Sequence, residues 1–169
     1  AWSSYYTVEA NEQAVLLRFG QEVGVLEPGL HFKLPFGIDT VKKVAVKEIK
    51  RQEFGFRTEQ PGVKTVYREG TAQLKDEARM LTGDVNILNL QWIVRYRVSD
   101  IRDYFFNVRD PVAAVRDVSE AIMRLVVGDR SVDEALTIGR VDVQQQAKEK
   151  MQERLDSYEA GIHVVSVRL

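Results

Sequence analysis

A chain of 169 residues with 24 lysines and arginines against 25 aspartates and glutamates lacks the basic excess of a nucleic-acid binder. Its length suits one domain that needs no covalent staples, and the absence of cysteine excludes a disulfide framework, a thiol nucleophile and a zinc–thiolate site. Apolar content of 44% and 29% charged residues describe a globular chain, and no apolar run reaches the roughly 18 residues of a bilayer span.

Both ends read as cut from a longer protein, since the chain starts at Ala1 and stops inside an apolar run at Leu169. Trp2, Tyr5 and Tyr6 crowd the start. Aromatic residues gather where a span meets water, and they also pack on cores, so both placements stay open. Residues 14–19 (AVLLRF) read as a strand with Val15, Leu17 and Phe19 on one face, ended by Gly20. Residues 23–26 form the expected return strand, and Pro28 and Gly29 a turn. Leu30, Phe32, Leu34 and Phe36 then alternate with His31, Lys33 and Pro35. Either this face packs inward, or the hairpin stands at an edge, where Leu26, Phe32 and Phe36 would form an exposed apolar patch.

A further strand is expected over 40–49, with Val44 and Val46 sharing a face. Residues 57–79 hold few apolar side chains and are broken by Pro61, Gly62 and Gly70. They read as a mobile excursion with at most a short strand around 63–67. The strongest strand follows, because Leu88, Leu90, Trp92, Val94, Tyr96 and Val98 fill alternate positions. After Ser99 the period changes. Residues 100–108 suggest a short helix or turn, and Asp110 with Pro111 starts a longer one whose stripe is Val112, Val115, Val118, Ile122 and Leu125. Ser131 and Glu134 form a capping box for a short helix. The last helix, about 141–158, places Val143, Ala147, Met151 and Leu155 on one stripe, and 162–169 is a final strand. Strands followed by helices and one more strand make an α+β order.

No catalytic constellation emerges. His31 and His163 lie in different elements without an acidic neighbour in sequence, and neither a nucleophile elbow nor a phosphate-cradling glycine loop is present. Asp76 with Glu77 falls in the excursion, and Asp133 with Glu134 suits a helix dipole. In the last helix, Glu149 and Glu153 stand four apart, as do Lys150 and Arg154, so each stripe repeats one sign. Such stripes can select a neighbouring subunit by charge, which makes these residues candidates for a subunit interface. A contact between Lys150 and Glu153 would instead offset the repulsion within the helix.

Three segments in order, EQAVLLRFGQ with LEPGLHFKLPFGIDTV, then ARMLTGDVNILNLQWIVRYRV, then VVGDRSVDEALTIGR, resemble the SPFH family, also called band 7 or prohibitin-homology. The likeness covers about residues 5–169, and MLTGD with the following strand is most similar to the bacterial HflK branch. The resemblance implies a non-catalytic membrane-anchored scaffold with no cofactor. It implies a juxtamembrane remnant at 1–4 and the domain at 5–169, with a β-rich lobe about 5–98 and a helix-rich lobe about 99–169. A transmembrane helix would precede it and a coiled coil follow. Members of this branch assemble with an HflC-like subunit into large rings on the bacterial inner membrane, mostly on its periplasmic side, around the membrane protease FtsH. The Pro28–Gly29 hairpin would face the bilayer, making Trp2, Tyr5, Tyr6, Leu26, Leu30, Phe32 and Phe36 candidates for lipid contact. A stomatin- or prohibitin-like organiser of lipids or channels is the alternative in the same fold. A hydrolase is the alternative of another class, disfavoured by scarce histidine and absent cysteine.

Overall fold

A computed structural model of the chain describes residues 4–60, 66–68 and 72–169, with the side chains of 57–60 and 66–68 left aside. The fold is α+β. It opens with β1 (Tyr5–Val8), β2 (Glu12–Arg18), β3 (Gln21–Leu26), β4 (Gly29–Phe32) and β5 (Asp39–Ala45). Strand β2 lies between β3 and β5 in an antiparallel sheet, while β1 and β4 pair as a separate antiparallel ribbon. Ala14, Val15, Leu16 and Leu17 are all buried, so β2 is covered on both faces. Phe19 does not share the core face with Val15 and Leu17. It falls in the tight turn after β2, where the chain reverses and the alternation of sides no longer holds.

The chain continues through β6 (Lys50–Phe54), β7 (Arg57–Gln60), β8 (Val66–Arg68), α1 (Ala72–Ala78), β9 (Arg79–Leu81), β10 (Ile87–Asn89) and β11 (Trp92–Val98). The strand expected over 40–49 ends at Ala45, and β6 was not anticipated. The expected excursion over 57–79 is more structured than its composition suggests. It holds the paired β7 and β8, the helix α1 and the start of β9. Within the strand expected around 63–67, residues 66 and 67 belong to β8, and 63–65 lie outside the described residues. Helix α1 buries Leu74, Glu77 and Ala78. The Glu77 carboxylate accepts the Gly55 N–H at 3.2 Å and an Arg116 guanidinium N–H at 3.1 Å, partners distant in sequence that offset its burial.

The long alternating run buries all six of its even-numbered apolar residues from Leu88 to Val98 but is split into β10 and β11. The break falls where the pairing partner changes. Strand β10 pairs with β9, whereas β11 pairs with β6, and between them the Leu90 N–H donates to the Ala78 carbonyl at 2.7 Å. One straight strand cannot hold both partnerships.

The remaining elements are α2 (Ile101–Phe106), α3 (Pro111–Gly128), α4 (Val132–Leu136), α5 (Arg140–Ser157) and β12 (Ile162–Arg168). Asp110 caps α3 by accepting the Ala113 N–H, and the Ser131–Glu134 capping box closes on α4. Strand β12 returns antiparallel to β11, so the second sheet has the order β12-β11-β6 and joins the two halves of the chain. Helix α5 packs on β12 and against α3, burying Val143, Ala147, Met151 and Leu155 as its stripe requires. The buried arc of α3 is Val115, Val118, Ser119, Ile122, Met123, Val126 and Val127, shifted from the expected stripe. Val112 and Leu125 are half-exposed at its edges because α3 is wedged between α5 and the β9 region rather than laid along one partner.

Candidate functional site

The register of β1 and β4 sorts the hairpin residues. Tyr5 faces Phe32, Tyr6 faces His31, Thr7 faces Leu30 and Val8 faces Gly29. Because side chains alternate along each strand, Tyr5, Thr7, Leu30 and Phe32 share one face of the ribbon, and Tyr6, Val8 and His31 the other. The second face is the inner one, with Val8 buried and Tyr6 and His31 half-buried. The first faces water, with Tyr5 63%, Leu30 61% and Phe32 75% exposed. Leu34 and Phe36 extend it along the loop toward β5, Phe36 being 78% exposed. Leu26 is half-buried, opposite Ala14 in the β2–β3 ladder, and Trp2 lies outside the described residues.

This exposed face is rigidly carried. His31 Nε2 donates to the Glu27 carbonyl at 2.7 Å, bracing the Pro28 turn, which employs the histidine structurally. Lys43 donates its ammonium to the Thr7 carbonyl and lies 5.6 Å from the Tyr6 ring centre, tying the ribbon to β5. At the far end Asp39 is the clamp. Its buried carboxylate accepts Arg18 Nε–H at 2.9 Å, a second Arg18 N–H at 3.2 Å and the Leu34 N–H at 2.9 Å. The Arg18 hydrogen bonds first, then that from Leu34, hold the Asp39 carboxyl below its ordinary value of 3.8. Burial, and secondarily the Asp39 charge, push the Tyr6 phenol above its ordinary 10.0.

Two exposed apolar residues, Phe19 and Leu34, were not among the lipid candidates. Phe19 is 80% exposed, and its N–H donates to the Ile38 carbonyl at 2.9 Å, which sets the β2–β3 turn beside the loop that carries Phe36. Leu34 also faces water. The signal for both turns was the Phe-Gly dipeptide at 19–20 and again at 36–37, a pair more often written Asn-Gly when a turn needs positive φ.

The four candidate interface residues, Glu149, Lys150, Glu153 and Arg154, are all exposed on α5. Glu149 accepts a hydrogen bond from Gln145 Nε2 at 2.6 Å. Lys150, Glu153 and Arg154 line a groove of about 220 Å³ with Ile122, Leu125 and Ser157. Arg154 also borders a wider groove of about 820 Å³ between α3 and the end of α5, walled by Val108, Val118, Ile122, Leu125 and Tyr158. The interface candidates thus lie on the helical layer, while of the lipid candidates Tyr5, Leu30 and Phe32 share the exposed face of the strand ribbon with Phe36 in the loop beyond it, and Tyr6 and Leu26 do not join them. Among the described residues no group of three or more histidines, aspartates or glutamates is placed to hold a metal ion. No helix among them is long and apolar enough to cross a membrane.

Comparison with known proteins supplies the context for these surfaces. The family described as SPFH domain / Band 7 family matches residues 6–169. Protein HflK of Treponema pallidum is 35% identical over 164 residues, covering 96% of this chain and 49% of that protein. Protein HflK of Borreliella burgdorferi is 32% identical over 167 residues, covering 99% and 52%. The protein named Modulator of FtsH protease HflK in Escherichia coli K12 is 29% identical over 167 residues, covering 99% and 34%. The chain therefore spans about half the length of the first two relatives and about a third of the last.

Proposed function

The chain belongs to the SPFH domain / Band 7 family, and from that premise we propose that it is the scaffold domain of an HflK-like modulator of a membrane protease. The family is one of modulators and scaffolds rather than of catalysts. The observation that carries the reading is the match across the whole domain to relatives of that name, one of them titled for its action on FtsH. The surface chemistry agrees, since the exposed features are an apolar edge and a charged helix, both suited to contact.

In this proposal a transmembrane helix precedes the domain and a coiled coil follows it in the longer protein, single-pass in a bacterial inner membrane with the domain on the periplasmic side. The domain rests on the bilayer through Tyr5, Leu30, Phe32 and Phe36, with Trp2 ahead of them, and not through the expected Tyr6 and Leu26, because Tyr6 lies on the inner face of the ribbon and Leu26 is half-buried against β2. Glu149, Lys150, Glu153 and Arg154 meet the next subunit, a second copy or an HflC-like partner, so that many copies close into a ring. The ring surrounds an FtsH-like protease and limits which substrates reach it. Domain contacts can be weak, because long helices that tether the copies make the second contact intramolecular.

Purifying the full-length protein from native membranes and identifying what accompanies it tests this reading. A membrane AAA+ protease and a second SPFH subunit are the expected companions. Recovery with a channel or with lipids alone, and no protease, would replace it with the stomatin- or prohibitin-like alternative.

A further inference from the structure

A second exposed apolar surface lies away from the strand ribbon, around the place where the chain reaches Leu169. Leu81 and Ile87 face one another across the β9–β10 ladder and are exposed, while Met80 and Leu88 on its other face are buried. Val85, also exposed, stands in the turn between the two strands. Asn89 follows Ile87 on the outward face, and it lines a depression of about 290 Å³ with Leu136, Arg140 and Leu169. Ile138, 96% exposed, and Val141 stand on either side of Arg140 where α4 turns into α5.

The frame under these side chains is braced. The Gly83 N–H donates to the Arg130 carbonyl at 2.7 Å, which fixes the β9–β10 turn just ahead of α4. The corner after α4 is tight, since a Cβ on Gly139 would stand 2.3 Å from the Glu134 carbonyl oxygen. The Arg140 guanidinium donates to the Leu169 carbonyl, so the main chain leaves β12 at the edge of the depression. An apolar surface held outward by such a frame marks a contact.

We propose that the segment following Leu169 turns back and seats the apolar stripe of its first helical turns on this surface, from Ile138 and Val141 across Leu136 to Ile87. The inference rests on the reading that a coiled coil follows the domain, in relatives about twice the length of this chain. Area decides the occupant. At roughly 100 Å² of apolar side chain apiece, scaled by exposure, the six residues Leu81, Val85, Ile87, Leu136, Ile138 and Val141 offer about 400 Å². A second copy or a separate protein needs ~800 Å² for a stable interface. A segment tied to Leu169 needs far less, because its docking is intramolecular, at an effective concentration on the order of millimolar. Docking fixes the direction in which the long helix leaves the domain. The tilt of each domain against its neighbours is then set here and not by a loose linker.

The test is thiol labelling of the full-length protein, since the domain has no cysteine of its own. Ile138→Cys reports the surface, and Val112→Cys, half-exposed at the far end of α3, serves as the reference. In full-length protein diluted until it sediments as a monomer, a maleimide should modify Ile138→Cys about tenfold or more slowly than Val112→Cys. Cutting at a protease site inserted after Leu169 should bring the two rates within about threefold, because the docked segment then diffuses away. Equal rates before the cut overturn the docking, and if the membrane protease still co-purifies the scaffold reading stands. Protection that vanishes on dilution assigns the surface to a second copy and also overturns it. A native gene with no helix after Leu169 overturns both the docking and the coiled coil of the proposed function.

Discussion

Changing Phe32 and Phe36 to serine probes the membrane-facing role of the hairpin most directly. The rings are 75% and 78% exposed, and a phenylalanine side chain presents roughly 200 Å², so each offers about 150 Å² to a second phase. At roughly 25 cal/mol per Å², complete withdrawal from water would contribute about 4 kcal/mol per ring. A side chain lodged at the headgroup boundary is half-immersed, which leaves about 2 kcal/mol, or roughly 30-fold in partition, for each. The double variant should therefore bind vesicles between roughly 30-fold and 1,000-fold more weakly, the upper figure holding if the rings act independently. Neither ring is part of the core, so the unfolding free energy from urea titration should move by no more than about 0.5 kcal/mol. Vesicle flotation across a lipid titration, run beside urea unfolding of the same samples, reads both quantities. A partition constant within about threefold of the parent, in a variant that remains folded, would refute the assignment of this face to lipid.

Three further outcomes follow from other parts of the molecule. Gly161 has φ 65, and a Cβ there would lie 2.2 Å from the Asp100 carbonyl oxygen, so Gly161→Ala should lower stability by about 3 kcal/mol or more in urea unfolding; a loss under about 1 kcal/mol would show that the junction between α5 and β12 yields easily. Asp39 has a lowered folded-state value, so its contribution is complete above the ordinary 3.8 and fades as pH falls through the lower folded value; Asp39→Asn should flatten the acid limb of a stability–pH profile in that range, and an unchanged limb would count against the clamp. Reversing Lys150 and Arg154 to glutamate should weaken association of the full-length protein roughly tenfold in sedimentation while leaving this domain's melting unchanged, and equal sedimentation would remove α5 from the interface.

The legible and illegible parts of the fold divide along physical lines. Helix α5 was readable because its buried stripe is set by a local period of 3.6 residues against a single layer, and the caps at Asp110 and Ser131 are contacts within four residues. Leu88 to Val98 revealed its inner face for the same reason, at period two. The split between β10 and β11 was not visible, because it depends on which strand lies alongside, and alternation is blind to partners. Helix α1 was missed because Glu77 looks like a solvated charge until Arg116 and Gly55 are brought to it.

The candidate surfaces divide in the same way. The amino-acid order alone pointed to an α+β domain of this family, the absence of cysteine chemistry, and an apolar alternation after Pro28 that required either a core or a boundary. Only the tertiary structure showed that this alternation is not core. Pairing of β4 with β1, rather than with a covering layer, leaves Leu30 and Phe32 in water beside Tyr5, and the Asp39 clamp turns Leu34 and Phe36 outward with them. Phe19 joined the same edge because a backbone turn, not side-chain periodicity, determines where its ring points. Periodicity reports which side chains share a face; what that face meets depends on contacts between segments distant in sequence.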